Sequence, residues 1–246
     1  MKRLIVLALS VLLIMMQPAP APALTIPEQL VFDARYKGIK AGTAVQTVTT
    51  DGDKITIVNT LRSTGLVDTF FSIDDRTESV IFLAGRKKGL PILYRENIKE
   101  GKRRKQREAR FDFSRLTVDS RNLLEKTAQT DSITATTHDK LSSIFFIRSV
   151  NLVPGQSVFF HLYDFKRLWN VEAKVVKREE IKTPLGTFKT VVVTSQLTHN
   201  GVQAKVGNGT FWFTDDARRI PVRIRTTINA GEITLTLVGG SYWPQK

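Results

Sequence analysis

Alternation dominates the chain. In residues 28–36, Leu30, Phe32, Ala34 and Tyr36 share one face, the period-two pattern of a half-buried strand. A turn with two glycines, 37–42, leads to a returning run at 43–50. Asp51-Gly52-Asp53 is a tight-turn signal, and 54–62 then sets Ile55, Ile57 and Leu61 on one face. Three strands in order with short turns predict a meander. Similar runs follow at 75–83, 90–99, 102–113, 157–164, 168–177, 188–197, 202–213, 220–228 and 232–238. About a dozen evenly spaced strands predict a mainly β domain of sandwich or barrel type. Two stretches resist this reading. Residues 122–133 are polar and unpatterned, which predicts a mobile loop, and 63–73 fits either one helical turn through Leu66, Phe70 and Phe71 or a strand bent at Gly65.

One segment breaks the alternation. Across 137–150, Leu141, Ile144 and Phe145 recur at helical spacing behind Thr137 and Asp139, either of which can cap a first turn. Asp139 is also an anion at the positive end of the helix dipole. Phe146 and Ile147 widen the apolar stripe beyond half the circumference, so the helix needs a hole to fill. The run Ile144–Ile147 also suits a buried strand, and periodicity alone does not separate the two. The fold expected is a single antiparallel, highly curved sheet, an open barrel or spiral, with this helix in its mouth or concave face. Arg148, at the last turn of an apolar helix, should cap its carbonyls or pair with a buried acid.

The ends and the composition narrow the class. Lys2 and Arg3, an apolar run over 4–16 and Ala21-Pro22-Ala23 form an export signal with cleavage before Leu24. The run is too short to span a bilayer. Residues 24–246 then make one all-β domain, with no linker and no repeat at fixed period. The chain has no cysteine, so neither a disulfide nor a lipidated cysteine anchors it, and the expected address is a bacterial periplasm. Formal charge is +14, falling to +12 without Lys2 and Arg3. In that compartment nucleic acid is not a partner. Anionic lipid headgroups, lipopolysaccharide phosphates or acidic glycans are candidates, beside the plain alternative of general solubility.

Catalytic and metal-binding patterns are missing from the sequence. There is no nucleophile elbow or phosphate loop, and His138, His161 and His199 lack ligand spacing, so neither metal nor cofactor is expected. His138-Asp139 reads as a capping region, and Asp74-Asp75 and Asp215-Asp216 as turn chemistry. The hairpin of 90–99 and 102–113 carries charge on both faces around Glu100-Gly101, which predicts an arm projecting into solvent.

Tyr36, Gly38 and Gly42, Phe111-Asp112, residues 139–148, Thr183–Phe188 (TPLGTF) and Trp212–Pro221 (WFTDDARRIP) occur in an order that resembles the exported bacterial proteins of domain-of-unknown-function family 3108. That family has no assigned activity to transfer. A more distant resemblance is to periplasmic lipoprotein carriers, open barrels plugged by a helix, whose cavities hold acyl chains or a partner peptide. It implies a concave apolar pocket.

The expectation is a non-catalytic envelope protein holding a lipid, lipoprotein or peptide, and a monomer. Phe32, Leu141, Ile144, Phe145, Phe160, Trp169, Phe211 and Trp212 are the candidate lining. Arg103, Arg104, Lys105 and Arg107 on the hairpin, with Arg148, Arg223 and Arg225, are candidate contacts for an anionic surface. Two competitors stand beside it. One is a glycan- or lipid-acting enzyme, which would gather His138, Asp139 and Arg148 beside another acid. The other is an interaction module offering a free strand edge near 233–238.

Overall fold

A computed structural model of the chain describes residues 25–228 and 231–243, so the export signal expected at 1–23 and the first two residues of the turn expected at 229–231 lie outside the described residues. The first half contains β1 (Glu28–Tyr36), β2 (Ile39–Asp51), β3 (Lys54–Ser63), α1 (Leu66–Phe70), β4 (Asp74–Phe82), β5 (Pro91–Glu100), β6 (Arg103–Asp112), β7 (Thr117–Asn122) and β8 (Thr127–Ser132). The second contains β9 (Thr137–His138), α2 (Lys140–Ser149), β10 (Ser157–Tyr163), β11 (Leu168–Thr183) and β12 (Gly186–His199). It ends with β13 (Val202–Gln203), β14 (Gly209–Thr214), β15 (Pro221–Ile228) and β16 (Gly231–Gly240). All strands join one curved, unclosed sheet ordered β8-β7-β6-β5-β4-β3-β2-β1-β16-β15-β14-β12-β11-β10-β9, with β13 on β12. Neighbours are antiparallel except β9 and β10.

Two meanders are therefore sewn together through the first and last strands. β16 pairs β1 on one side and β15 on the other, so residues 233–238 lie mid-sheet and offer no free edge. The edges are β8 and the two-residue β9, and side chains bring them close. The Tyr163 hydroxyl donates to Asp131 at 2.6 Å, and Gln129 donates to the Phe165 carbonyl at 3.3 Å.

Three sequence expectations need correction. Residues 122–133 are the end of β7, a turn and β8, paired from Thr117↔Ser132 to Asn122↔Thr127. The β8 side chains are almost all exposed. An edge strand holds its place through main-chain bonds, and a polar edge discourages pairing with other chains, so no apolar alternation marks it. The basic hairpin is no projecting arm: β5 and β6 are inner strands flanked by β4 and β7. The run 202–213 is broken after β13, where Asn208 accepts the Leu197 N–H and donates to the Ala204 carbonyl in place of ladder bonds. The ambiguous 63–73 contains the single helical turn α1.

α2 starts at Asp139, whose carboxylate accepts the N–H groups of Leu141 and Ser142 while the Ser142 hydroxyl accepts the Asp139 N–H. The Ser79 hydroxyl ties the same carboxylate to β4 at 2.6 Å. At the far end Arg148 forms a two-pronged pair with Glu28 of β1, each contact 2.7 Å, and donates to the Arg218 carbonyl. A pair so enclosed costs desolvation, which bidentate geometry and the added bonds offset. The helix thus crosses the barrel interior from mid-sheet at Ser79 to the end where β1 begins, and closes that end.

Candidate functional site: an apolar cavity with a charged rim

The helix does not fill the barrel. Between α2, β3–β5 and β10–β15 lies a cavity of about 560 Å³, within the roughly 300–1,000 Å³ usual for small-molecule sites. Leu141, Ile144 and Ile147 form its helical wall, facing Phe160, Val171, Val193, Phe213 and Ile224 on the strands. Lys140, Val206 and Gly207 both line it and are exposed, so it opens to solvent. Helix periodicity explains the void. The buried positions of α2 are Ser142, Ser143, Ile147 and Arg148; Ser142 and Arg148, small and paired respectively, let the helix lie close to the sheet, while Ser143 and Ile147 are buried along the cavity wall. Leu141 and Ile144 stay partly accessible because they face empty space.

Polar groups are few and grouped. Glu96 is 3% exposed and receives Lys140 at 2.8 Å, the Arg107 guanidinium, and the Tyr94 hydroxyl at 3.0 Å. Burial alone would raise the Glu96 carboxyl, but Lys140 and Arg107 outweigh it and hold the group at about 2. Arg107 also lies 4.4 Å over the Phe165 ring. Lys105, two residues along β6, makes no salt bridge, and burial with the charges of Arg107 and Arg103 lowers its pKa. This end of the cavity carries more positive than negative charge. Across the opening, Trp169 donates its Nε1–H to Asp164 at 2.9 Å, and both line the wall.

His138 sits behind the helix start, stacked on Phe146 at 4.7 Å and edge-on to Phe160 at 5.7 Å. Burial drops its pKa to about 4, and its Nδ1 has no partner. His138, Asp139 and Arg148 do not converge: Asp139 is occupied as the cap and Arg148 by Glu28 at the closed end. Among the described residues, no three His, Asp or Glu side chains are grouped to hold a metal, and no helix is long and apolar enough to cross a membrane.

The family described as "protein of unknown function (DUF3108)" matches residues 31–238. The chain belongs to that family. Its structural resemblances are distant in sequence. The β-barrel-like DUF1849 protein from Brucella abortus superposes with a TM-score of 0.61 at 10% identity, covering 87% of this chain and 97% of that one. It establishes a shared fold and nothing finer. A protein described as exported, with a YmcC-like fold, from Bacteroides fragilis reaches a TM-score of 0.33 at 9% identity over 90% and 97% of the two chains, too low to support an argument. No curated protein matches the chain.

Within this DUF3108 fold, five of the expected lining residues do line the cavity: Leu141, Ile144, Phe160, Trp169 and Phe211. Phe145 packs instead toward Val48, Ile57 and Ile81, and Phe32 joins Leu30, Ala44 and Trp212 in a separate core cluster. Trp212 faces away from the cavity because neighbours on a strand alternate sides, so it could not line beside Phe211. Its Nε1–H goes to Glu179, and Arg223 and Arg225 lie 5.8 and 5.5 Å from its ring.

The basic candidates separate in the same way. Arg148 and Arg107 are drawn inward by Glu28 and Glu96, which removes both from any external surface. Arg103 pairs with Glu100, while Arg104 is exposed at the strand tip, donating to backbone carbonyls. Arg223 donates to the Lys182 carbonyl, and Arg225 pairs with Glu232. The sequence reading missed Tyr94, Glu96 and Lys140. A signal for Glu96 was present: it falls between Tyr94 and Ile98 on the same face of β5, a charge where alternation calls for an apolar side chain.

Proposed function

We propose that the protein is a non-catalytic envelope carrier that holds the apolar part of an amphiphile inside the barrel. The supporting observation is the open cavity of about 560 Å³, walled by aliphatic and aromatic side chains on α2 and the second-half strands. An empty apolar volume of this size leaves its lining without dispersion partners, and an acyl or similar chain would supply them. The Lys140–Glu96–Arg107 group sits where the polar end of such a ligand would emerge, and its excess positive charge favours an anionic headgroup. Glu96, Lys140 and Tyr94, which face the volume, are engaged with one another in an ion pair and a hydrogen bond, which supports a holding role over a chemical one. The export signal read in residues 1–23 supports a periplasmic setting for this activity.

Native mass spectrometry of residues 24–246, purified from a bacterial periplasm without detergent, tests the reading. The expected result is a co-purifying mass that proves on denaturation to be an amphiphile. Ile144→Trp, which pushes an indole into the void, should lose that mass while keeping the far-ultraviolet circular dichroism of the parent. A clean apo mass in the parent chain, unchanged after incubation with fatty acids or lysophospholipids, would overturn it.

A further inference from the structure

Antiparallel order places alternate turns at opposite ends of the sheet. The turns β1–β2, β3–β4, β5–β6, β7–β8, β10–β11, β12–β14 and β15–β16 lie at one end, away from the α2 terminus held by Glu28. The apolar exposed surface gathers there. Of the ten large hydrophobic residues exposed among those described, seven belong to this end. Ile39 follows the first turn, Phe70 ends α1 and Phe71 follows as its C-cap. Leu123 and Leu124 occupy the β7–β8 turn, and Val202 and Val206 lie between β12 and β14. Phe70 is 86% exposed and Val202 69%. The opposite end shows Leu116 in its turns.

A soluble surface scatters such residues singly, so their concentration on one set of turns marks a contact surface. Val206 belongs both to this surface and to the cavity lining, so the surface reaches the mouth. We infer that this end docks on an anionic lipid bilayer, with the exposed turn residues entering the headgroup region and the cavity mouth facing the membrane. Charge supports a bilayer as the occupant. Lys37, Lys102, Lys126, Lys166, Arg167 and Lys205 lie on these turns against Asp68, Glu125 and Asp164. The turns at the other end are also net basic, so charge selects an anionic partner while the apolar residues select the orientation.

Phe71 and Phe70 have different tasks. The Phe71 ring covers Gly101, where an added Cβ would lie 2.8 Å from it, and so fixes α1 against the basic turn of β5–β6. Phe70 projects outward. Docking through these turns requires no ligand in the cavity.

Flotation of residues 24–246 with phosphatidylcholine–phosphatidylglycerol vesicles, and with phosphatidylcholine alone, is the test. Binding to the mixed vesicles is expected, with little to phosphatidylcholine. Phe70→Ser/Leu124→Ser, which leaves Phe71 on Gly101, should weaken binding about tenfold or more, as two apolar side chains no longer leave water. Leu116→Ser at the opposite end should bind like the parent. Absent vesicle binding, equal binding by the Phe70/Leu124 variant, or an equal loss in Leu116→Ser would overturn the inference. Concentration-dependent self-association abolished by Phe70→Ser/Leu124→Ser, without vesicle binding, would overturn it in favour of a second copy of the chain. If docking fails while a ligand co-purifies, the carrier reading stands alone; if docking holds in the Ile144→Trp variant and no ligand is found, the docking stands alone.

Discussion

At the scale of single residues, one buried ion pair and one buried histidine stand out. The Arg148–Glu28 pair is enclosed, with side-chain exposures of 5% and 0%, and Tyr242 donates a further bond to Glu28 at 3.0 Å. Removing one partner strands a charge, so Arg148→Met should cost roughly 3–5 kcal/mol in urea unfolding. The paired replacement Glu28→Met/Arg148→Met should cost less than either single change, because neither charge then remains buried. His138 gives a pH prediction. Its folded pKa of about 4 lies below the ordinary value of 6.5, so the unfolded chain binds the extra proton between those limits. The neutral ring's contribution is complete above 6.5 and is lost as pH falls through 4, about 3 kcal/mol in all. Asp75 works in the opposite direction: burial raises it from 3.8 to about 6, so its contribution is complete below 3.8 and is lost as pH rises through 6. The difference between parent and His138→Phe isolates the histidine. Phenylalanine keeps the stack with Phe146 and removes the orphaned Nδ1, so the variant should gain on the parent from pH 6.5 to 4. Parallel pH profiles of the two would show that His138 is accessible to protons in the folded chain.

At the scale of elements, α2 shows what a sequence discloses and what it withholds. Residues 137–150 announce a helix through Asp139, Leu141, Ile144 and Phe145, and the helix forms with Asp139 as its cap. The same pattern does not reveal which face goes deepest. Ser142 is buried because a close approach to the sheet favours a small side chain, whereas Leu141, Ser143 and Ile144 border a void. The strand pairs with one apolar face were legible by period two. β7–β8 was not, since main-chain bonds at a polar edge leave no pattern in side chains. The charged site was half legible. Glu96 interrupts an apolar face, but its partners come from β6 and α2, 11 and 44 residues away. The cap is open to direct test. Asp139→Ala removes the acceptor for two helix N–H groups and for Ser79, so a loss of about 2–3 kcal/mol is expected by denaturant unfolding. Asp139→Asn, which retains one acceptor oxygen, should cost less.

At the scale of the whole molecule, topology rather than pattern determines what is exposed. The strand that ends the chain resembles a free edge in the sequence, yet β16 lies between β1 and β15. The real seam joins β8 to the β10–β11 turn, and side chains hold it where no ladder does. Tyr163 is its centre: the hydroxyl donates to Asp131 at 2.6 Å, lies 3.1 Å from the Ser120 hydroxyl, and burial raises its pKa to about 12. The ring is fully buried, so Tyr163→Phe should preserve the core and remove the polar link alone. Asp131 would then keep its Gln129 contact, which limits the loss to roughly 1–2 kcal/mol. The loss should also be local. β8 bonds to one neighbour, so amide exchange there should accelerate in Tyr163→Phe while β1 and β2, paired on both sides, keep the parent's protection. Uniform acceleration across all strands would mean that the sheet opens as one unit, with the seam contributing to global stability. Faster exchange confined to β7 and β8 would identify the seam as the place where this barrel can open sideways.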